Sequence, residues 1–174
     1  MTAPEEQPPL WIDAETAVAE RPADHKMELR LWLRLLSCSR LIENDIRRHL
    51  NAEFDFSLPR FDILAQLDRA DEGLVLGEVS KRLMVSAGNI TSLVEGLVKS
   101  GHITRTTSSG DRRAQIIRLT DKGRREFRRM AKVHGDWIAR YFEQLPQKDI
   151  DKLMDLLAAL KDSTRESILA RQAP

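Results

Sequence analysis

The sequence predicts a mainly α fold: a winged helix-turn-helix between long N- and C-terminal dimerisation helices, with a two-stranded hairpin as the wing. Three observations predict it. Residues 76–120 read as helix, tight turn, helix and hairpin. Leucine-rich helical patterns flank that segment on both sides. Positive charge gathers in the same place, because residues 75–129 carry 12 Lys and Arg against 5 Asp and Glu, net +7, while the whole chain is net +1. A polyanion partner requires that asymmetry, since neutralising phosphates releases counterions. A solvated charged surface on an ordinary helical domain is the bland alternative.

Residues 1–23 contain Pro4, Pro8, Pro9 and Pro22 among many acids and read as a flexible arm, with Leu10-Trp11-Ile12 as a small apolar island. Residues 24–51 read as a long helix. Leu29, Leu31, Trp32, Leu33, Leu35 and Leu36 wrap most of its circumference, and Leu41, Ile42, Ile46 and Leu50 continue on a narrower stripe. A helix apolar on most sides is buried on most sides, so a second subunit is the expected cover. Residues 24–57 and 122–174 are accordingly the expected dimerisation segments, and 58–121 the winged helix-turn-helix.

Leu58-Pro59 opens the next helix, with proline in the first turn and Phe61, Ile63, Leu64 and Leu67 as its apolar positions. Asp71-Glu72-Gly73 is a turn. The first helix of the helix-turn-helix covers 77–83, and Met84-Val85 makes the bend. Ser86 is suited to cap the second helix through its hydroxyl. That helix carries Ile90, Leu93, Val94, Leu97 and Val98 as one buried stripe and ends near Ser100-Gly101, where glycine suits the left-handed position. Its other face holds Gly88, Asn89, Thr91, Ser92 and Glu95. That face is small and polar at its start, as a helix entering a major groove requires. Asn89 suits an adenine edge, Thr91 a thymine methyl or a phosphate, and Ser86 a phosphate.

Residues 103–107 and 115–119 are the hairpin strands, joined by Ser108-Ser109-Gly110-Asp111. Arg105 joins the DNA-binding set from the first strand. At the hairpin tip, Asp111 is placed to orient one of Arg112 and Arg113 while the other enters the narrow, negative minor groove. Thr120-Asp121 caps a helix over 122–142 that begins with Lys122, Arg124, Arg125, Arg128 and Arg129 and turns apolar around His134, Trp137 and Ile138. Leu145-Pro146 breaks it. The last helix, 148–170, places Ile150, Leu153, Leu157, Leu160, Thr164 and Ile168 at near-heptad spacing, a helix-packing seam.

No apolar run is long enough to span a bilayer, the N-terminus lacks a basic signal-like region, and Cys38 is the single cysteine. These features point to the cytoplasm without a membrane partner. There is no Ser/His/Asp order, no P-loop and no Rossmann glycine pattern, so no enzyme is expected. His25, His49, His102 and His134 lie far apart in sequence, and no metal site is expected from them.

The order of elements resembles the MarR family of winged-helix transcription regulators over residues 24–168. Asp111-Arg112-Arg113 followed by Leu119-Thr120-Asp121-Lys122-Gly123 carries the resemblance. It implies a homodimer built by the first and last helices, a recognition helix at 86–99, wing arginines in the minor groove, and a ligand pocket between the dimerisation helices and the DNA-binding lobe. A narrower likeness lies in Trp32-Leu33-Arg34-Leu35-Leu36-Ser37-Cys38-Ser39-Arg40, in Leu58-Pro59-Arg60-Phe61-Asp62 and in Met130-Ala131-Lys132-Val133-His134-Gly135-Asp136-Trp137-Ile138. These stretches are similar to the hydroxycinnamoyl-CoA-responsive, CouR/FerC-like branch. That branch implies repression of aromatic catabolism, relieved by an aryl-acyl-CoA thioester such as p-coumaroyl-CoA or feruloyl-CoA.

On that reading Trp32, Leu36, Phe61 and Trp137 hold the aromatic acyl part, with His134 as a hydrogen-bonding wall. Arg30, Arg34 and Arg40 take the CoA phosphates, since planar guanidinium forks suit them. Dimer-core packing with ion pairs such as Arg47–Glu43 is the plain alternative. Cys38 reads as a small core residue, with oxidant sensing as the alternative some family members suggest. The expected function is a dimeric repressor on a pseudo-palindromic double-stranded operator, released by a small effector and needing no cofactor. The rival from another class is a winged-helix protein–protein interaction module.

Overall fold

The computed structural model describes residues 26–107 and 114–172. The N-terminal arm and the hairpin tip with Asp111, Arg112 and Arg113 lie outside the described residues.

Helix α1 runs Met27–Phe54. It ends where Asp55 adopts the left-handed conformation, φ 50°, and donates its N–H to Asn51 O. Phe56 N–H then bonds Leu50 O at 3.2 Å, a reversal that turns Phe56 into the core. Of the many apolar residues of α1, only Ile46 and Leu50 are buried. Helix α2, Leu58–Asp68, starts with Pro59 in its first turn and buries Leu58, Phe61, Ile63, Leu64 and Leu67.

A short strand β1, Leu74–Val75, follows. The sheet therefore has three strands where the hairpin alone was expected. Two residues carry no readable alternation, so this strand is set by its partner: Leu74 faces Ile117 and Val75 faces Ile116. Gly73 makes the approach possible. It sits at φ +80°, and a Cβ there would lie 2.4 Å from Arg118 Cγ and 2.5 Å from Ile117 O.

Helix α3, Leu76–Leu83, leads into the turn, where Met84 is left-handed at φ 54° and 94% exposed. Ser80 locks the bend, its hydroxyl donating to Val85 O at 2.7 Å while Val85 N–H bonds Ser80 O at 3.2 Å. Helix α4, Ala87–Lys99, is the recognition helix of the sequence reading. Ile90, Val94 and Leu97 are buried, each stabilising the fold by about 1.5–3 kcal/mol. Val98 is 40% exposed, contrary to the expected stripe, because one further step of about 100° turns it off the inward face.

Strands β2, Ile103–Thr107, and β3, Gln115–Leu119, pair antiparallel from Ile103↔Leu119 to Thr107↔Gln115, giving the sheet order β1-β3-β2. Helix α5 spans Asp121–Phe142 and α6 spans Gln147–Gln172. The chain divides into two units within α5, after Met130. The first has a core of Leu50, Ile63, Leu64, Leu67, Val79, Ile90, Val94, Leu97 and Ile117. The second contains the C-terminal half of α5 and α6, and α6 buries none of its residues. No described helix is long and apolar enough to cross a membrane.

Candidate nucleic-acid interface

The start of α4 is where the sequence placed most of the DNA-contacting residues. Ser86 has extended backbone angles and its hydroxyl accepts from Asn89 N–H at 3.4 Å, the expected cap. Gly88, Asn89 and Ser92 are exposed and Thr91 is half-buried. A Cβ at Gly88 would meet nothing within 4 Å, so this first turn offers an open approach. The helix dipole favours negative charge at this end.

Arg105 stands exposed on β2, its Nε donating to Gln115 Oε1 at 3.2 Å, and Gln115 Nε2 in turn donates to Thr107 Oγ1 at 3.2 Å. Arg118, absent from the sequence-derived set, donates to Thr106 Oγ1 at 3.3 Å. In the register Arg105 faces Ile117 and Arg118 faces Thr104, so strand alternation puts the two guanidiniums on opposite faces of the stem. Not every cation of the +7 segment points to a ligand. Arg82 pairs with Glu78, Arg124 with Asp68 and Asp71 at 3.4 Å each, and Arg128 lies 4.0 Å from Asp68.

The stretch Leu119-Thr120-Asp121-Lys122-Gly123 has a mechanical role. Thr120 caps α5, its hydroxyl accepting from Gly123 N–H at 3.0 Å and donating to Gly101 O at 2.7 Å. Lys122 Nζ donates to Ser100 O at 2.8 Å, placing a cation at the C-terminal end of α4. A Cβ at Gly123 would fall 2.0 Å from His102 O, so only glycine permits this crossing. The motif ties the end of α4 to the start of α5.

The proposed ligand residues are spread over both units. On α1, Trp32 is 56% exposed, Arg34 and Arg40 are exposed, and Arg30 and Leu36 are half-buried. Phe61 is closed into the core of the first unit, 5.3 Å from the Phe127 ring. In the second unit Trp137 is 5% exposed and meets the half-buried His134 edge-on at 6.4 Å, and desolvation holds the His134 imidazole below its usual pKa. Cys38 is exposed on α1, which corrects the core reading: the leucines near it crowd the sequence, but this turn of the helix is not covered by its own chain.

On the same helix Arg47 pairs with Glu43, as the spacing predicted. Facing them, Asp62 has its carboxyl pushed up to about 6, chiefly by burial and then by Glu43, with Arg47 opposing. Among the described residues no three His, Cys, Asp or Glu side chains cluster as metal ligands.

A sequence model of the MarR family matches residues 54–114. The transcriptional activatory protein BadR of Rhodopseudomonas palustris is 31% identical over 60% of this chain and 62% of its own length. The regulator PecS of Dickeya dadantii is 31% identical over 66% of this chain and 70% of its own. Among solved structures, a MarR family transcriptional regulator from Silicibacter pomeroyi superposes with a TM-score of 0.68 at 30% identity, over 79% of this chain and 94% of that one. CouR from Rhodococcus jostii RHA1, bound to p-coumaroyl-CoA, shares the fold with a TM-score of 0.65 at 20% identity, over 75% of this chain and 90% of its own. With the capped helix-turn-helix and the Thr120–Gly123 crossing in place, the chain belongs to the MarR family of winged-helix transcriptional regulators.

Proposed function

We propose that the protein is a dimeric DNA-binding repressor whose operator binding is relieved by a small ligand, an aromatic acyl-CoA. The carrying observation is the first turn of α4: a capped helix start whose Gly88, Asn89 and Ser92 are exposed, within the one strongly basic segment of the chain. Ser86, Gly88, Asn89, Thr91 and Ser92 enter a major groove, while Arg105 and the tip residues Asp111, Arg112 and Arg113 serve the flanking backbone and minor groove. A two-fold dimer selects a pseudo-palindrome with half-sites about 34 Å apart. The second copy covers leucines that one chain leaves exposed on α1 and α6. Selection of duplexes from a random pool, followed by salt titration, tests the DNA reading. Arg113→Ala then weakens binding by about 1–3 kcal/mol. Repression is separated from activation, the activity named for BadR, by transcription in vitro from the selected site.

The effector reading is carried by α1, where the aromatic Trp32 and the cations Arg34 and Arg40 stand exposed. On α1, Trp32 and Leu36 are assigned to the acyl ring, and Arg30, Arg34 and Arg40 to the CoA phosphates. A hydroxycinnamoyl-CoA therefore releases the operator and the free acid does not. Equal release by free coumarate or ferulate removes the thioester assignment.

Oxidant sensing is a second reading, favoured by the exposure of Cys38. Peroxide that releases DNA from the wild type but not from Cys38→Ser establishes it.

A further inference from the structure

The recognition helix is open at its first turn and held at its last, and the holding device uses polar groups that packing alone does not require. Gly101, at φ +75°, reverses the chain after α4 and turns His102 inward. His102 is 5% exposed, the one buried polar residue among those described. Both ring nitrogens are engaged. Nδ1 lies 2.7 Å from Ser100 Oγ, on the cap of α4, and Nε2 lies 2.7 Å from Glu126 Oε2, on the second turn of α5. The ring tilts against Phe56 at 5.2 Å. Arg60 of α2 stacks on the other partner of that ring contact, its guanidinium 4.4 Å from the Phe56 centroid, and donates from Nη2 to Ser100 Oγ at 3.0 Å.

We infer that Ser100, His102 and Glu126, braced by Arg60, form a positioning relay that sets the tilt of the recognition helix from the position of α5. The inference rests on the DNA-binding reading. The lever is long: Asn89 lies eleven residues before Ser100, about 16 Å along the axis. A tilt of about 5° at the clamp displaces the reading end by more than 1 Å, which exceeds the roughly 0.5 Å window of N–H···O hydrogen-bond distances. An apolar aromatic could pack in place of His102, but it cannot hold α4 and α5 in one relative orientation. A doubly bonded imidazole does so, because each bond is directional.

The test uses the full-length protein and a labelled duplex selected by the wild type from a random pool, with binding followed by anisotropy at 25 °C. Glu126→Ala and His102→Phe each weaken binding about tenfold, the scale of one charge-assisted hydrogen bond, without changing the salt slope. Glu126→Gln stays within about twofold, because its amide oxygen still accepts from the imidazole. Circular dichroism and melting show all three folded at the assay temperature. If Glu126→Ala does not fold, Ser100→Ala takes its place. Folded alanine and phenylalanine variants that bind like the wild type overturn the relay. So does a Gln variant as weak as the Ala variant, or a slope reduced by about one, which marks a direct phosphate contact instead. A wild type that selects no duplex overturns the DNA reading and this inference with it.

Discussion

Helices α4 and α6 are both amphipathic, and they complete their apolar faces in opposite ways. In α4, Ile90, Val94 and Leu97 are at most 1% exposed, closed by the same chain. In α6, Leu153, Leu157 and Leu160 stand 37–40% exposed and Met154 and Leu169 more than 60%, with no residue buried. Apolar surface on this scale marks an interface. The stability of α4 is thus a property of one chain; on the proposed dimer, that of α6 belongs to the assembly and depends on protein concentration.

The largest effect that sharpens this contrast is expected on α6. Leu157→Asp combined with Leu160→Asp places unpaired charge in the proposed dimer seam, costing on the order of 3–5 kcal/mol or more. Sedimentation should show dissociation into 19.9 kDa chains or loss of the fold. A double variant that remains dimeric contradicts the assignment. Next comes Leu97→Ala in α4, expected to cost about 2–5 kcal/mol through the cavity it leaves. Its melting shift should be the same across protein concentrations, so a strongly concentration-dependent shift breaks the comparison.

On the DNA side of α4, Arg105→Ala should weaken operator binding by about 1–3 kcal/mol, read by titration, whereas Asn89→Ala should change sequence preference more than salt slope. Thr120→Ala removes the cap of α5 and the bond to Gly101 O and should cost about 1 kcal/mol, measured by denaturant midpoint.

The smallest effect is at Asp62. Its carboxyl titrates near 6 in the fold against 3.8 for the free group, so between those values the folded state holds the proton more tightly. Its contribution therefore grows as pH falls from about 6 toward 4 and is absent above 6, where the buried charge is a penalty. Asp62→Asn should flatten this part of the pH–stability curve and raise the melting temperature slightly at pH 7–8. An unchanged curve contradicts it.

Much of the scaffold was legible because its signals are local. Ser86 and Thr120 announce their helices by side-chain chemistry, Pro59 by its fixed φ, and both hairpin strands fall at the residues expected on either side of the Ser108–Asp111 turn chemistry. The exposed turn of Gly88, Asn89 and Ser92 was legible for the same reason. What escaped is non-local. Strand β1 exists only because Gly73 lets Leu74 and Val75 reach β3. His102 and Glu126 are 24 residues apart, and their pairing emerges only when Gly101 and Gly123 bring two helix ends together. Cys38 was misplaced because a leucine-rich pattern does not say which turns of a helix its own chain covers.

The central claim is that α6 and α1 await a second copy while α4 is ready for DNA. The most direct test is the mass of the wild-type complex on a duplex selected from a random pool, measured by sedimentation at low salt. Two chains per duplex, with half-sites about one helical turn apart, is the predicted result. One chain per duplex, or no complex at any salt, would contradict it.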